Sequence, residues 1–177
     1  MDPMRAFLTE ENIMIHKEYM RTLRLRHSIL EKSVPQIKGK SVFEIEKMRL
    51  NSSIKDDALP NLREYLAHEI YFNSFENARH SSPAVKDYYS SYEAFLYEIY
   101  LVAMNESCGF VFVFIDERGR PIICHNNANK RGKFMPKIAI DISEHAYFLD
   151  YRFDKERYLR SALANLNISL LDNGIKK

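Results

Sequence analysis

The chain has 177 residues, 46% of them hydrophobic and 28% charged, with a formal net charge of +2 at neutral pH. This balance belongs to a globular protein of one domain, or of two small ones sharing a core, and it excludes a disordered tail. It also excludes a nucleic-acid surface built on a basic stripe, because acids are interspersed almost everywhere.

The longest aliphatic–aromatic run, FVFVFI from Phe110 to Ile115, is strand length, so no membrane span is expected. The opening MDPMRAFLTEEN is too acidic and too poor in apolar residues for a secretory signal, and a cytoplasmic, intracellular protein is expected. Cys108 and Cys124 are too few for a disulfide framework or a thiolate zinc site.

The first element is a helix from about Thr9 to Leu30, where Ile13, His16, Tyr19, Met20, Leu23, His27 and Leu30 recur at three and four. VPQIKGKS reads as a loop, a weaker amphipathic piece follows at about Phe43 to Leu50, and NSSIKDD is loop-like again. A second strong helix starts near Pro60 and carries the stripe Leu62, Tyr65, His68, Phe72 and Phe75. HSSPAV reads as a linker. A helix follows, with Ser90 and Glu93 spaced as a capping box, and runs to about Gly109.

FVFVFI and PIIC flank DERGR, which predicts a β-hairpin with a loop of about five residues. KIAID is a third strand, and a last helix begins near Asp154. The expected fold class is therefore α+β: an N-terminal antiparallel helical hairpin over residues 1–80, then a C-terminal lobe over 84–177 with helices and a three-stranded antiparallel sheet.

Four residues stand out. His16 and His68 each lie inside the apolar stripe of a helix, and Asp141 precedes His145 by four positions in AIDISEHAYFLDY. A histidine in an apolar stripe is ordinarily a hydrogen-bonded core residue, and an Asp-x-x-x-His pair recurs by chance. Taken together, three imidazoles and one carboxylate suit a first-row transition metal, zinc included.

DISEHAYFLDY, with the later RYLRSALANLN, resembles the C-terminal signature of iron/manganese superoxide dismutases, which reads D-x-W-E-H-A-Y-Y-L-D-Y. IMIHKEYM, LAHEIYFNSF and SCGFVFVF are similar to three further family segments in the same order. The resemblance spans roughly His16 to Asn167. It implies that His16, His68, Asp141 and His145 are ligands of one iron or manganese ion per subunit. It also implies superoxide as substrate, and a homodimer in which Glu144 reaches the partner's ligand histidine.

The departures matter equally. Family tryptophans are replaced by Phe72, Phe110, Phe112 and Ser143, and the chain has no Trp. At the latter position the change from Trp to Ser opens a gap beside the metal. The gateway tyrosine position holds Arg24, whose charge could steer an anion. The histidine four residues after the first ligand is Met20, and its tyrosine partner from the other subunit is Phe148, so both ends of that hydrogen bond are replaced together by apolar groups.

The outer-shell glutamine is replaced by Asn129, Asn127 or His125 in the manganese-type position, or by Glu64 in the iron-type one. The function implied is a divergent superoxide dismutase. The alternative is a catalytically weak or inactive metal-binding or interaction protein on the same fold.

Overall fold

The computed structural model describes residues 3–125 and 136–172. In chain order the helices are α1 (Glu10–Ser33), α2 (Val42–Lys47), α3 (Ser52–Asn73), α4 (Pro83–Tyr88) and α5 (Tyr92–Asn105). Strands β1 (Phe110–Ile115), β2 (Pro121–His125) and β3 (Ile138–Asp141) come next, then α6 (Glu144–Tyr151) and α7 (Lys155–Ala164). The class is α+β, with a helical N-terminal region and an antiparallel sheet in the C-terminal part. No helix among the described residues is long and apolar enough to cross a membrane.

The backbone divides into two compact units, Met14–Glu69 and a second one made of Met1–Ile13 with Ile70–Lys177. The division passes through α1 and α3, which are each continuous helices.

In the Met14–Glu69 unit, α1 and α3 run antiparallel. Contacts fall in index on α3 as they rise on α1: His16 meets His68, and Tyr19 meets Glu64. Ile37, Val42, Ile45, Ala58 and Leu59 form a buried cluster at the far end of this hairpin, with Leu30, Val34, Leu62 and Leu66 packed on it. Ser41 starts α2 with a capping box: its hydroxyl accepts from the Glu44 N–H while the Glu44 side chain accepts from the Ser41 N–H.

The sequence expectation placed the second helix start near Pro60, but α3 begins at Ser52, and Pro60 lies inside it. Asn51 explains the earlier start. Its side chain accepts from the Ser53 N–H and its carbonyl from Lys55, so NSSIKDD is a capped first turn and not a loop.

In the other unit the sheet order is β2-β1-β3. The hairpin loop is the expected five residues, and Asp116 holds it by accepting from the N–H groups of Arg118 and Arg120. Phe110 to Phe114 are all buried, so both faces of β1 are covered, as the unbroken apolar run requires. HSSPAV is not wholly a linker: Ser82 caps α4, with Pro83 in its first turn. The cap of α5 is Ser91, one residue later than the expected Ser90, and α5 ends at Asn105 rather than near Gly109. Cys108 is exposed just before β1.

Candidate metal centre

Asp141 is the last residue of β3 and lies opposite Phe110 on β1. Directly paired residues of antiparallel strands point to the same face, so Asp141 shares a face with Phe110 and Phe112. Those two rings stack at 5.7 Å. The carboxylate is fully buried in this apolar surround. A charge placed there must be held by hydrogen bonds or a partner charge.

Asp141 Oδ1 accepts from the Ser143 N–H at 2.9 Å, a local turn that fixes the carboxylate two residues before α6 starts. Oδ2 stands 3.0 Å from His145 Nε2. Two ligand atoms each about 2.0–2.2 Å from one metal, and at right angles, stand about 3 Å apart. The pair is therefore spaced for a shared ion. The same spacing is a hydrogen bond when Nε2 carries the proton.

Behind this pair, the Tyr158 hydroxyl donates to the Asp141 carbonyl at 2.7 Å and lies 3.1 Å from the Tyr71 hydroxyl. Burial pushes both phenols well above their ordinary range, so they remain protonated donors.

Ser143 has a definite task at the position where the resemblance expected a Trp. Its Oγ accepts from the Gly109 N–H at 2.9 Å, and the Ile142 N–H donates to the Gly109 carbonyl at 2.9 Å. The residue thus ties the start of α6 to the start of β1. Phe72 is half-buried against Tyr71. Glu144 and Phe148 are exposed on α6.

The Met14–Glu69 unit carries the other two candidate histidines. His16 and His68 are buried, with ring centroids 5.9 Å apart. His68 Nδ1 lies 2.8 Å from the Glu64 carbonyl, one turn back on α3. A carbonyl only accepts, so Nδ1 carries the proton and the lone pair is on Nε2. This is the backbone partner that orients metal-binding imidazoles. The Glu64 carboxylate accepts from the Tyr19 hydroxyl at 3.3 Å. Arg24 is exposed, and Met20 is half-buried. Asn129 and Asn127 lie outside the described residues, whereas His125 is half-buried, with its Nδ1 3.1 Å from Glu106 Oε2.

Among the described residues, Asp141 and His145 in one unit, and His16 and His68 in the other, each offer one atom of a kind that binds a metal ion. Three imidazoles and a carboxylate fit a first-row transition ion, and the preset tautomer of His68 and the fixed carboxylate of Asp141 are what such a site needs.

Sequence inspection singled out these four residues but passed over Tyr19, Tyr158 and Gly109. Tyrosine in an apolar stripe carries no signal of which backbone or carboxylate its hydroxyl meets.

No curated protein matches the chain. The sequence pattern of "Iron/manganese superoxide dismutases, C-terminal domain" matches residues 72–173, more than half of its length, including Asp141 and His145. With that match and the fold in agreement, the chain belongs to the iron/manganese superoxide dismutase family.

Proposed function

We propose that the protein is a divergent superoxide dismutase, with one iron or manganese ion per subunit held by His16, His68, Asp141 and His145. Two superoxide anions and two protons would yield one dioxygen and one hydrogen peroxide. The observation that carries this reading is the Asp141–His145 pair, a buried carboxylate preset 3.0 Å from an imidazole nitrogen within the family match. The oriented His68 beside His16 supports it.

The ion, when bound, supplies one-electron chemistry between its divalent and trivalent states. The chain's own residues shape that chemistry. The anionic oxygen of Asp141 favours the higher charge, and the Ser143 N–H keeps it in place. Phe110 and Phe112 give the carboxylate a dry wall, which strengthens its field. Arg24, exposed on α1, would draw a small anion by long-range attraction. Glu64 is the described outer-shell candidate, with Asn129 the other.

The reading includes a homodimer, which the exposed Glu144 and Phe148 of α6 would serve. It takes 1–80 and 84–177 as the two family domains, and it places the protein inside the cell.

The test is the superoxide dismutation rate per bound metal atom, on protein purified without added metal and analysed for iron and manganese. A rate well above that of free aqueous metal, abolished in His68→Ala, is expected. Full iron or manganese occupancy without activity would leave the weak or inactive metal-binding relative as the answer.

A further inference from the structure

The stretches HSSPAV and YYSSY, which the sequence marks as a linker and a helix start, meet around one cavity. Its volume is about 280 Å³, near the lower end of small-molecule sites, which span roughly 300–1,000 Å³. It lies wholly within the Ile70–Lys177 part of the chain and shares no residue with the candidate metal centre. Buried Val85 and Ile168 and half-buried Tyr89 and Tyr92 give it an apolar lining.

Lys86, His80, Ser81 and Ser90 supply the polar lining, and none of the described residues around the cavity is acidic. Ser91 caps α5, so Ser90, the cap that the sequence suggested, lines the cavity instead. Two partners outside the cavity hold Tyr89: its hydroxyl donates to Glu98, and its ring meets Phe95 edge-on with centroids 5.0 Å apart. The Tyr92 hydroxyl lies 2.9 Å from His80 Nδ1. Burial, and then the Glu93 charge, pushes that phenol up to about 12, so it stays protonated. When it donates to Nδ1, the neutral imidazole carries its own proton on Nε2. Behind the lining, Asp172 accepts from the Ser82 hydroxyl at 2.6 Å and the Ala84 N–H at 3.3 Å, so two donors already meet its charge.

We propose that this cavity binds a small organic phosphate monoester, with Lys86 and the Tyr92-oriented His80 on the phosphate and Tyr89 against the carbon body. An ammonium, an imidazole N–H and two serine hydroxyls suit the three oxygens and nearly double charge of a phosphate better than the two oxygens of a carboxylate. The bland reading is a water-filled crevice where two helix starts meet. Such a crevice needs neither an acid-free, basic lining nor an aromatic ring fixed by partners outside it.

The experiment titrates phenyl phosphate, inorganic phosphate and phenol separately into the full chain and reads binding by calorimetry. Wild type, Lys86→Ala and Tyr92→Phe are compared, with metal content measured in each. Wild type should bind one phenyl phosphate per chain, more tightly than inorganic phosphate, and should not bind phenol. Lys86 is exposed, so Lys86→Ala should fold, and it should weaken phenyl phosphate by about tenfold or more through loss of a charged donor. Tyr92→Phe keeps the ring and loses only the hydroxyl that orients His80, so it should weaken binding by a smaller factor.

No saturable binding of phenyl phosphate overturns this inference, and so does binding that Lys86→Ala leaves unchanged. Equal affinity for inorganic phosphate overturns the role given to Tyr89. None of these results bears on the metal centre, whose own test is the dismutation rate.

Discussion

Asp141 and His145 stand 3.0 Å apart through Oδ2 and Nε2, although one ends a strand and the other opens a helix. Only Ile142, Ser143 and Glu144 lie between them. The short path works because Ser143 turns the chain, with its N–H on Asp141 Oδ1 and its hydroxyl on Gly109. Asp141→Asn keeps the shape and removes the anionic oxygen. Loss of an outer partner costs a metal site about 10–100-fold in affinity, and loss of a ligand should exceed that. Competition with a chelator of known affinity would measure it. Wild-type-like affinity in Asp141→Asn would remove Asp141 from the ligand set.

Tyr158→Phe should destabilise the protein by about 1–3 kcal/mol, since the buried Asp141 carbonyl then loses its hydroxyl donor. The ring stays and keeps its stacking on Tyr147, so the loss is a polar one and not a cavity. Urea denaturation should show a lower midpoint with an unchanged slope. An unchanged midpoint would mean that a water takes over the bond at no cost.

Most of what was legible in the sequence follows from periodicity acting on one element at a time. The unbroken FVFVFI required a strand covered on both faces, and DERGR marked its turn; both are present. His16 and His68 were legible as inward histidines because apolar neighbours flank them at helical spacing. The misreadings arose where two local signals compete. Pro60 resembles a helix start, but the Asn51 cap, more than two turns earlier, begins the helix first. Ser-Pro at 82–83 resembles a linker and is instead a cap followed by a first-turn proline. The task of Ser143 was not legible, because its partner Gly109 lies 34 positions away in sequence.

Glu44 provides a pH prediction. Its carboxylate accepts hydrogen bonds from the Ser41 backbone N–H, then from the Ser41 hydroxyl and Lys40, and these hold its pKa down at about 2 against an ordinary 4.5. The folded value is depressed, so its contribution to stability is present above about pH 4.5 and is lost as pH falls from 4.5 towards 2. Glu44→Gln should flatten the stability profile in that window alone. Carbon-detected titration of the Glu44 carboxyl should show the low midpoint directly, and a midpoint near 4.5 would mean that the capping-box hydrogen bonds do not favour the ionised form.

Pro60→Ala should stabilise the protein. Pro60 is exposed in the interior of α3, where it lacks the N–H that would bond the Asp56 carbonyl. One residue on, the Asn61 side chain donates to the Asp57 carbonyl at 3.1 Å, supporting the helix beside the break. Restoring the missing N–H recovers up to about 3 kcal/mol, and freeing the unfolded chain returns about 0.4–1 kcal/mol of it, so a net gain of about 1–2 kcal/mol is expected. Metal affinity should not change, because the bond that orients His68 runs to Glu64, which lies on the C-terminal side of Pro60. A higher urea midpoint with wild-type metal affinity is the expected result. A gain in stability coupled to weaker metal binding would instead mean that the proline aims the whole second half of α3, His68 included.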